Sequence, residues 1–211
     1  MQHLMEFDEL AHCYREHGFS LYLVGGSVRD WLLKRPFSDL DFVTDALPED
    51  MLPYLSEVKD TFRRYGSLQV KVHGHWVDVT TLREEGEYRD HRHPSFLRFV
   101  KDPKLDYPRR DFTINALYLD EHYHLLDYCH GEDDLKQRLI RFLGDPTKRI
   151  QEDPLRICRA ERFAKLLSFR LEEKTKEAIQ KNYDLLQTIN SAKLEEEKKK
   201  GWTPLWYETQ C

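Results

Sequence analysis

Two short stretches constrain this chain more than any others: Leu23-Val24-Gly25-Gly26-Ser27-Val28-Arg29-Asp30 and, soon after, Ser38-Asp39-Leu40-Asp41-Phe42-Val43. The first reads as an apolar strand that runs into two glycines and then a helix. The second reads as a strand with carboxylates at i and i+2. Alternate residues of a strand share a face, so Asp39 and Asp41 point the same way while Leu40 points into the core. Carboxylates held side by side repel unless a cation sits between them, so the pair is a candidate divalent-metal site. Glycine lets backbone approach a ligand closely, and the N–H groups that open a helix suit an anion such as phosphate. Metal beside a phosphate cradle points to phosphoryl or nucleotidyl transfer. The Gly25-Gly26 turn has neither a GxGxxG pattern nor a Walker lysine, which argues against a dinucleotide or P-loop site.

Periodicity places the remaining elements around this motif. An amphipathic helix is expected over residues 4–17, strands over 21–24, 40–44, 67–72 and 76–82, and helices over 27–34 and 48–58. His73-Gly74-His75 reads as a hairpin turn between the third and fourth of those strands. Residues 83–108 are polar and nearly aperiodic, as functional or mobile segments often are. Beyond them a strand is expected over 124–128, helices over 132–138, 147–167 and 172–189, and a strand over 139–143. Mixed strands and helices followed by helices alone predict an α/β (α+β) head over 1–145, a small helical neck over 146–190, and an irregular tail over 191–211.

Composition narrows the class. The chain has 211 residues, enough for one good core or a domain with a smaller partner. No apolar run approaches the roughly 18 residues of a membrane span. Its four cysteines, Cys13, Cys129, Cys158 and Cys211, form no CxxC pair, which favours a reducing compartment and an expected cytoplasmic location. The N-terminal stretch is acidic and amphipathic and has no leader pattern. Net charge is −5, but it is unevenly spread. Acidic side chains dominate 1–58 and 111–135, whereas basic ones are in excess over 59–110 and 136–181. That asymmetry suits acidic catalytic residues beside a phosphate-binding surface, and it also suits an ordinary mixed surface. The pairs His73/His75, His91/His93 and His122/His124 have ligand-like spacing that turns and exposed strands explain equally well.

Several motifs in register carry a wider resemblance: Gly25-Gly26-Ser27-Val28-Arg29-Asp30, Asp39-Leu40-Asp41, Arg109-Arg110-Asp111-Phe112-Thr113-Ile114-Asn115-Ala116, Asp127 with Gly131, and Glu152-Asp153-Pro154-Leu155-Arg156. From about residue 20 to 190 the chain resembles the tRNA nucleotidyltransferase and poly(A) polymerase family of the polymerase-β-like superfamily. The resemblance implies a nucleotidyltransferase head with a mixed sheet. It implies that Asp39 and Asp41 hold Mg²⁺ and that Asp78, where relatives often have Glu, adds a third carboxylate. Gly25, Gly26 and Arg29 would meet the triphosphate, and Arg110 and Asp111 the ribose and nucleotide. Asp153 and Arg156, taken as i and i+3 of one helix, would read the incoming base, with Arg159 and Arg162 continuing the row. The implied substrates are CTP and ATP, and the implied partner is an RNA, the tRNA 3′ end. Residues 83–108 match the family's flexible loop, including Asp90-His91-Arg92-His93-Pro94, which favours addition of the terminal A.

Two departures qualify the resemblance. Relatives continue into body and tail domains, so a naturally short form is one expectation and a truncated chain another. Relatives usually carry an Ile-Ser-x-Glu-Arg-Ile-like run where this chain has Ile189-Asn190-Ser191-Ala192-Lys193-Leu194, and an aliphatic residue where it has Glu161. A surface once buried against the body is therefore expected to be solvated at Glu161. The tail residues Trp202, Leu205 and Trp206 read as a docking element or a disordered end. The leading expectation is CCA or terminal-A addition to tRNA. The alternatives are a bacterial poly(A) polymerase, whose basic signature would fall near Phe62-Arg63-Arg64-Tyr65-Gly66-Ser67, and a weakly active RNA- or nucleotide-binding module that works through a partner.

Overall fold

The computed structural model describes residues 4–36, 39–86 and 95–205, which resolve into two compact units. The first comprises the described residues of 1–85, 96–110 and 115–128. It opens with α1 (Met5–Glu16), whose Phe7, Leu10, Ala11 and Tyr14 recur at helical spacing and are all buried. Then come β1 (Leu21–Val24), α2 (Gly26–Leu32), β2 (Asp41–Thr44), α3 (Pro48–Met51), β3 (Val58–Lys59), β4 (Ser67–Val72), β5 (His75–Thr81), β6 (Arg83–Glu85), β7 (Leu97–Phe99), α4 (Pro103–Asp106), β8 (Leu117–Leu119) and β9 (Leu125–Asp127).

Seven of these strands make a mixed sheet in the order β3-β4-β5-β2-β1-β8-β9. The one parallel pairing is β2 with β5, and its register sets Asp41 opposite Asp78. One face is packed by Val77, Val79, Leu68 and Val70, all at least 97% buried. On the other face the alternate residues Trp76 and Asp78 of β5 meet solvent, as one solvated face of a sheet requires. β4 and β5 join through His73 (φ 50°) and Gly74 (φ 84°), the two positive-φ positions of a hairpin turn whose twist matches the strands.

The second unit holds the described residues of 86–95, 111–114 and 129–211. Its elements are α5 (Gly131–Gln137), β10 (Leu139–Ile140), α6 (Pro146–Glu152), α7 (Leu155–Leu167), β11 (Arg170–Leu171), α8 (Glu173–Lys181) and α9 (Ser191–Lys199). Phe112 is fully buried there, stacked on Phe142 at 4.8 Å and edge-on to Phe163 at 5.8 Å.

The structure departs from the sequence pattern wherever proline or a capping residue intervenes. The helix expected over 48–58 stops at Met51, passes through a 3₁₀ turn at Leu52–Tyr54 and becomes β3, because Pro53 cannot donate to a continuing helix. The segment 83–108 contains the β6–β7 ladder and α4. The helix expected over 147–167 is two helices: Asp153 is extended at φ −153° and Pro154 caps α7, since a residue before proline avoids helical torsions. The tail starts with a helix, α9, because the Asn190 side chain accepts from the Ala192 N–H at 2.9 Å. Glu161 is fully buried, contrary to the expected solvated surface. Residues 87–94 of the loop, including Asp90 to Pro94, lie outside the described residues, as do Ser38, Trp206 and Cys211.

Candidate functional site

In the first unit the strand–glycine–helix motif folds as its residues dictate. Gly25 has φ 72° and ψ −137° and precedes α2, a backbone state that an L side chain rarely adopts. A Cβ there would lie 3.7 Å from Asp41 Oδ2 and 3.9 Å from Arg110 Nη1, so both side chains converge on the turn. The buried Ser27 hydroxyl donates to the Asp39 carbonyl at 2.9 Å and accepts from the Asp41 N–H at 3.1 Å. It clips the start of β2 to α2 and fixes the backbone from which both carboxylates project. A serine directly after paired glycines is the signal in the sequence for this role.

Three carboxylates gather here. Asp39 and Asp41 are both exposed; Asp41 opens β2 and Asp39 lies two residues before it, with Asp78 beside Asp41 through the parallel register. Gln69 Nε2 donates to Asp78 Oδ1 at 2.9 Å and orients it. Restricted hydration and then the neighbouring Asp78 raise the Asp41 carboxyl above its ordinary range; Arg110 opposes this and Asp39 adds to it. Because Asp41 is exposed by surface area, carboxylate repulsion is the cause most directly supported by the geometry. Oxygen-only donors that repel one another suit a hard divalent cation. Mg²⁺ in particular takes one or two carboxylates and completes its shell with water and substrate phosphate. Among the described residues no three His, Cys, Asp or Glu side chains close into a protein-only cage. The ring nitrogens of His73 and His75 lie 2.8 and 3.3 Å from Glu9 and Glu6 of α1.

Arg110 is held by a network that the sequence did not reveal. Its Nε and Nη2 donate to Asp106 Oδ2 at 3.2 and 3.0 Å, and Nε also donates to the Tyr118 hydroxyl at 2.9 Å. Arg109 Nε and the Arg83 N–H donate to the other oxygen of Asp106 at 2.8 and 3.0 Å. Burial alone would raise the Asp106 carboxyl, but Arg110 and Arg109 hold it down at about 2. The signal was present as an acid three and four residues before two arginines. Arg29, read as a triphosphate ligand, is instead buried beneath the turn. Its Nε and Nη2 form a fork to Asp30 at 3.0 and 2.7 Å, and Nη1 donates to Asn115 Oδ1 at 2.9 Å.

In the second unit Arg159 connects Asp111 (3.2 Å) and Asp153 (2.8 Å). Burial lowers the affinity of this guanidinium for its proton, but Asp111 and Asp153 outweigh that and raise it. Asp153 is therefore brought together with Asp111 and Arg159, but it does not share a helix with Arg156; Pro154 separates them. Arg156 is buried, and its Nη1 donates to the Arg149 carbonyl and to Glu152, both at 2.7 Å. Arg162 donates from Nε to Glu197 of α9 at 3.1 Å. The adjacent Glu161 accepts from Trp202 Nε1 at 2.7 Å, the Leu205 N–H at 3.3 Å and the Tyr183 hydroxyl at 3.5 Å. Burial raises its carboxyl despite these donors.

Residues 21–141 match the model of the poly(A) polymerase head domain. The chain belongs to the poly(A) polymerase head domain family. Among related sequences of this head-domain family, a CCA-adding enzyme of Lactobacillus helveticus is 46% identical over 180 residues, covering 85% of this chain and 45% of the relative. One from Geobacillus stearothermophilus is 39% identical over 186 residues, covering 88% and 46%. This head-domain chain thus spans less than half the length of these curated relatives. Among solved structures, the Bacillus stearothermophilus CCA-adding enzyme in complex with CTP superposes with a TM-score of 0.84 at 35% identity, covering 92% of this chain and 47% of that one. A tRNA nucleotidyltransferase complexed with a primer tRNA and an incoming ATP analog gives a TM-score of 0.72 at 32% identity, covering 92% and 55%. No helix among the described residues of this family member is long and apolar enough to cross a membrane.

Proposed function

We propose that this chain carries the catalytic head of a template-independent nucleotidyltransferase that adds CMP and AMP to the 3′ end of tRNA. The observation that carries this reading is Asp41 at the start of β2, with Asp39 two residues before it, Asp78 opposite it, and the Gly25 turn and Arg110 beside it. CTP, ATP and tRNA come into the proposal through the relatives named above, which share this head over 92% of the chain.

Asp39 and Asp41 would hold a divalent cation, Mg²⁺ in our reading, which when bound neutralises charge on the transferring phosphorus and assists ionisation of the RNA 3′-hydroxyl. The chain's own residues perform the positioning. The Gly26 backbone faces the triphosphate, and Gly25 keeps that face free of a side chain. Arg110, locked by Asp106 and Tyr118, extends Nη1 toward the turn, where a guanidinium meets phosphate oxygens without first losing side-chain entropy. Arg29 supports the turn from beneath. In the second unit we assign nucleotide recognition to Asp111, Asp153 and Arg159: a carboxylate accepts from an exocyclic amine, and C and A both present one next to a ring nitrogen. Arg156 and Arg162 are paired with Glu152 and Glu197 and lie outside that set.

Incubation of the chain with tRNA lacking its 3′ end, Mg²⁺ and each labelled NTP tests the proposal. CTP followed by ATP incorporation is the expected result. Runs of ATP alone would make it a poly(A) polymerase, and no metal-dependent incorporation would make it a binding module. Incorporation that survives Asp41→Ala would overturn the catalytic assignment.

A further inference from the structure

The solvent-facing side of the sheet carries a row that the metal site leaves unused. Across β2, β5, β4 and β3, the register sets Asp41 beside Asp78, Asp78 beside Gln69 and Gln69 beside Lys59. Two pairs further along, on the same face, Trp76 lies opposite Lys71. Trp76 and Asp78 are two residues apart on one strand, so they share a face and lie about 7 Å apart along it. Trp76 keeps 40% of its surface exposed. Lys59 Nζ sits 3.9 Å from the ring centroid and Lys71 Nζ 5.9 Å from it. Lys71 also pairs with Glu57 at 2.9 Å, whereas Lys59 has no carboxylate partner among the described residues.

A large exposed aromatic flanked by ammonium groups is the chemistry that holds single-stranded nucleic acid: the ring stacks on a base and the cations follow the phosphates. The spacing sets which base. A 3′-hydroxyl addressed by Asp39 and Asp41 places its nucleotide against the Asp78 end of the row, and the next nucleotide of a single strand running on along that row comes to Trp76, about 7 Å away. We propose that Trp76 is the stacking platform for the penultimate base of the RNA primer, with Lys59 and Lys71 on its phosphates. This rests on the reading of Asp39 and Asp41 as the catalytic carboxylates. Trp76 is a specificity and positioning residue, since it touches substrate at a distance from the reacting atoms. Lys59 moves from the ring to a phosphate as the base arrives, which exchanges one exposed cation contact for another.

The test is a binding measurement that needs no turnover. A 5′-labelled RNA with a single-stranded 3′ end is titrated with the full chain in EDTA at low ionic strength and followed by anisotropy. The RNA carries either a normal or an abasic penultimate nucleotide. Trp76→Ala should weaken binding of the normal RNA about tenfold, and Trp76→Phe should restore most of it. The abasic RNA should bind wild-type protein about tenfold more weakly and should not distinguish wild type from Trp76→Ala. Equal binding of the normal RNA by wild type and Trp76→Ala overturns the proposal, as do losses that multiply when the variant meets the abasic RNA. Failure of catalysis is separable: an RNA held through Trp76 by a chain that incorporates no NTP refutes the enzymatic reading and leaves the platform standing.

Discussion

Asp106→Asn tests the central positioning argument, because this carboxylate touches no substrate yet anchors Arg110. It is fully buried and accepts from Arg110, Arg109, the Arg83 N–H and the Tyr118 hydroxyl at 2.8–3.2 Å. Its fall from the ordinary 3.8 to about 2 corresponds to roughly 2–3 kcal/mol of preference for the ionised form in the fold. The asparagine also leaves two guanidinium groups facing a neutral amide that turns a donor toward one of them. Removing one partner of a buried ion pair costs about 3–5 kcal/mol, a large part of the roughly 5–15 kcal/mol that holds a domain together. The sign of the pH dependence follows from the depressed carboxyl. The stabilisation is fully present above the unfolded value near 4 and is lost as pH falls from there to about 2. Urea unfolding should therefore show a gap of about 3 kcal/mol or more between wild type and variant at pH 7, narrowing below pH 4. At a temperature where the variant stays folded, its KM for NTP should rise more than its kcat falls. A gap below about 0.5 kcal/mol at pH 7, or one of constant size down to pH 2.5, would refute the argument.

Four further outcomes follow from the same geometry. In metal-free protein, carboxyl-detected NMR should find Asp41 titrating above the ordinary aspartate range, and Asp78→Asn should bring it down; an unmoved Asp41 would remove Asp78 as a cause. Gly25→Ala places an L residue at φ 72° and should destabilise by about 1–2 kcal/mol, with a loss of NTP incorporation larger than the loss of folded protein. Arg159→Met should raise the KM for NTP about tenfold and blur discrimination between bases, as expected for losing charged hydrogen bonds; an unchanged base preference would exclude Arg159, Asp111 and Asp153 from recognition. Trp202→Phe deletes the donor to Glu161 while keeping an aromatic ring, so it should destabilise by about 1–3 kcal/mol and speed limited proteolysis within residues 191–205.

The parts of the molecule legible in the sequence are those with local causes. Strand β2, the glycine turn and the β4–β5 hairpin each depend on residues a few positions apart, and each formed where alternation and turn chemistry placed it. Asp39, Asp41 and Asp78 were nominated from spacing and from resemblance. The nearness of Asp78 to Asp41 depends on the parallel pairing of β2 with β5, which alternation alone does not specify. Asp106 was missed because it lies in a stretch without hydrophobic period, where only its offset to Arg109 and Arg110 marked it. Asp153 was misplaced because helical spacing was counted straight through Pro154. The Glu161–Trp202 bond spans 41 positions of sequence, and no local pattern announces a buried carboxylate meeting an indole that far away. An acidic residue on an otherwise apolar helix face looked solvated when it was in fact the anchor of the C-terminal segment.

The parallel register of β2 and β5 also determines what can vary at the carboxylate cluster. The separation of Asp41 and Asp78 is one interstrand spacing of about 4.8 Å, a length belonging to the backbone lattice and insensitive to side-chain identity. Loops between the two strands can lengthen or shorten without changing it, provided the pairing holds. A slip of one residue, however, would turn Asp78 into the core and bring a valine beside Asp41. Only side-chain reach is left to tune the site. Exchanging aspartate for glutamate on β5 moves a carboxylate by about one methylene against a fixed frame, so the site can be adjusted one bond at a time while the fold stays as it is.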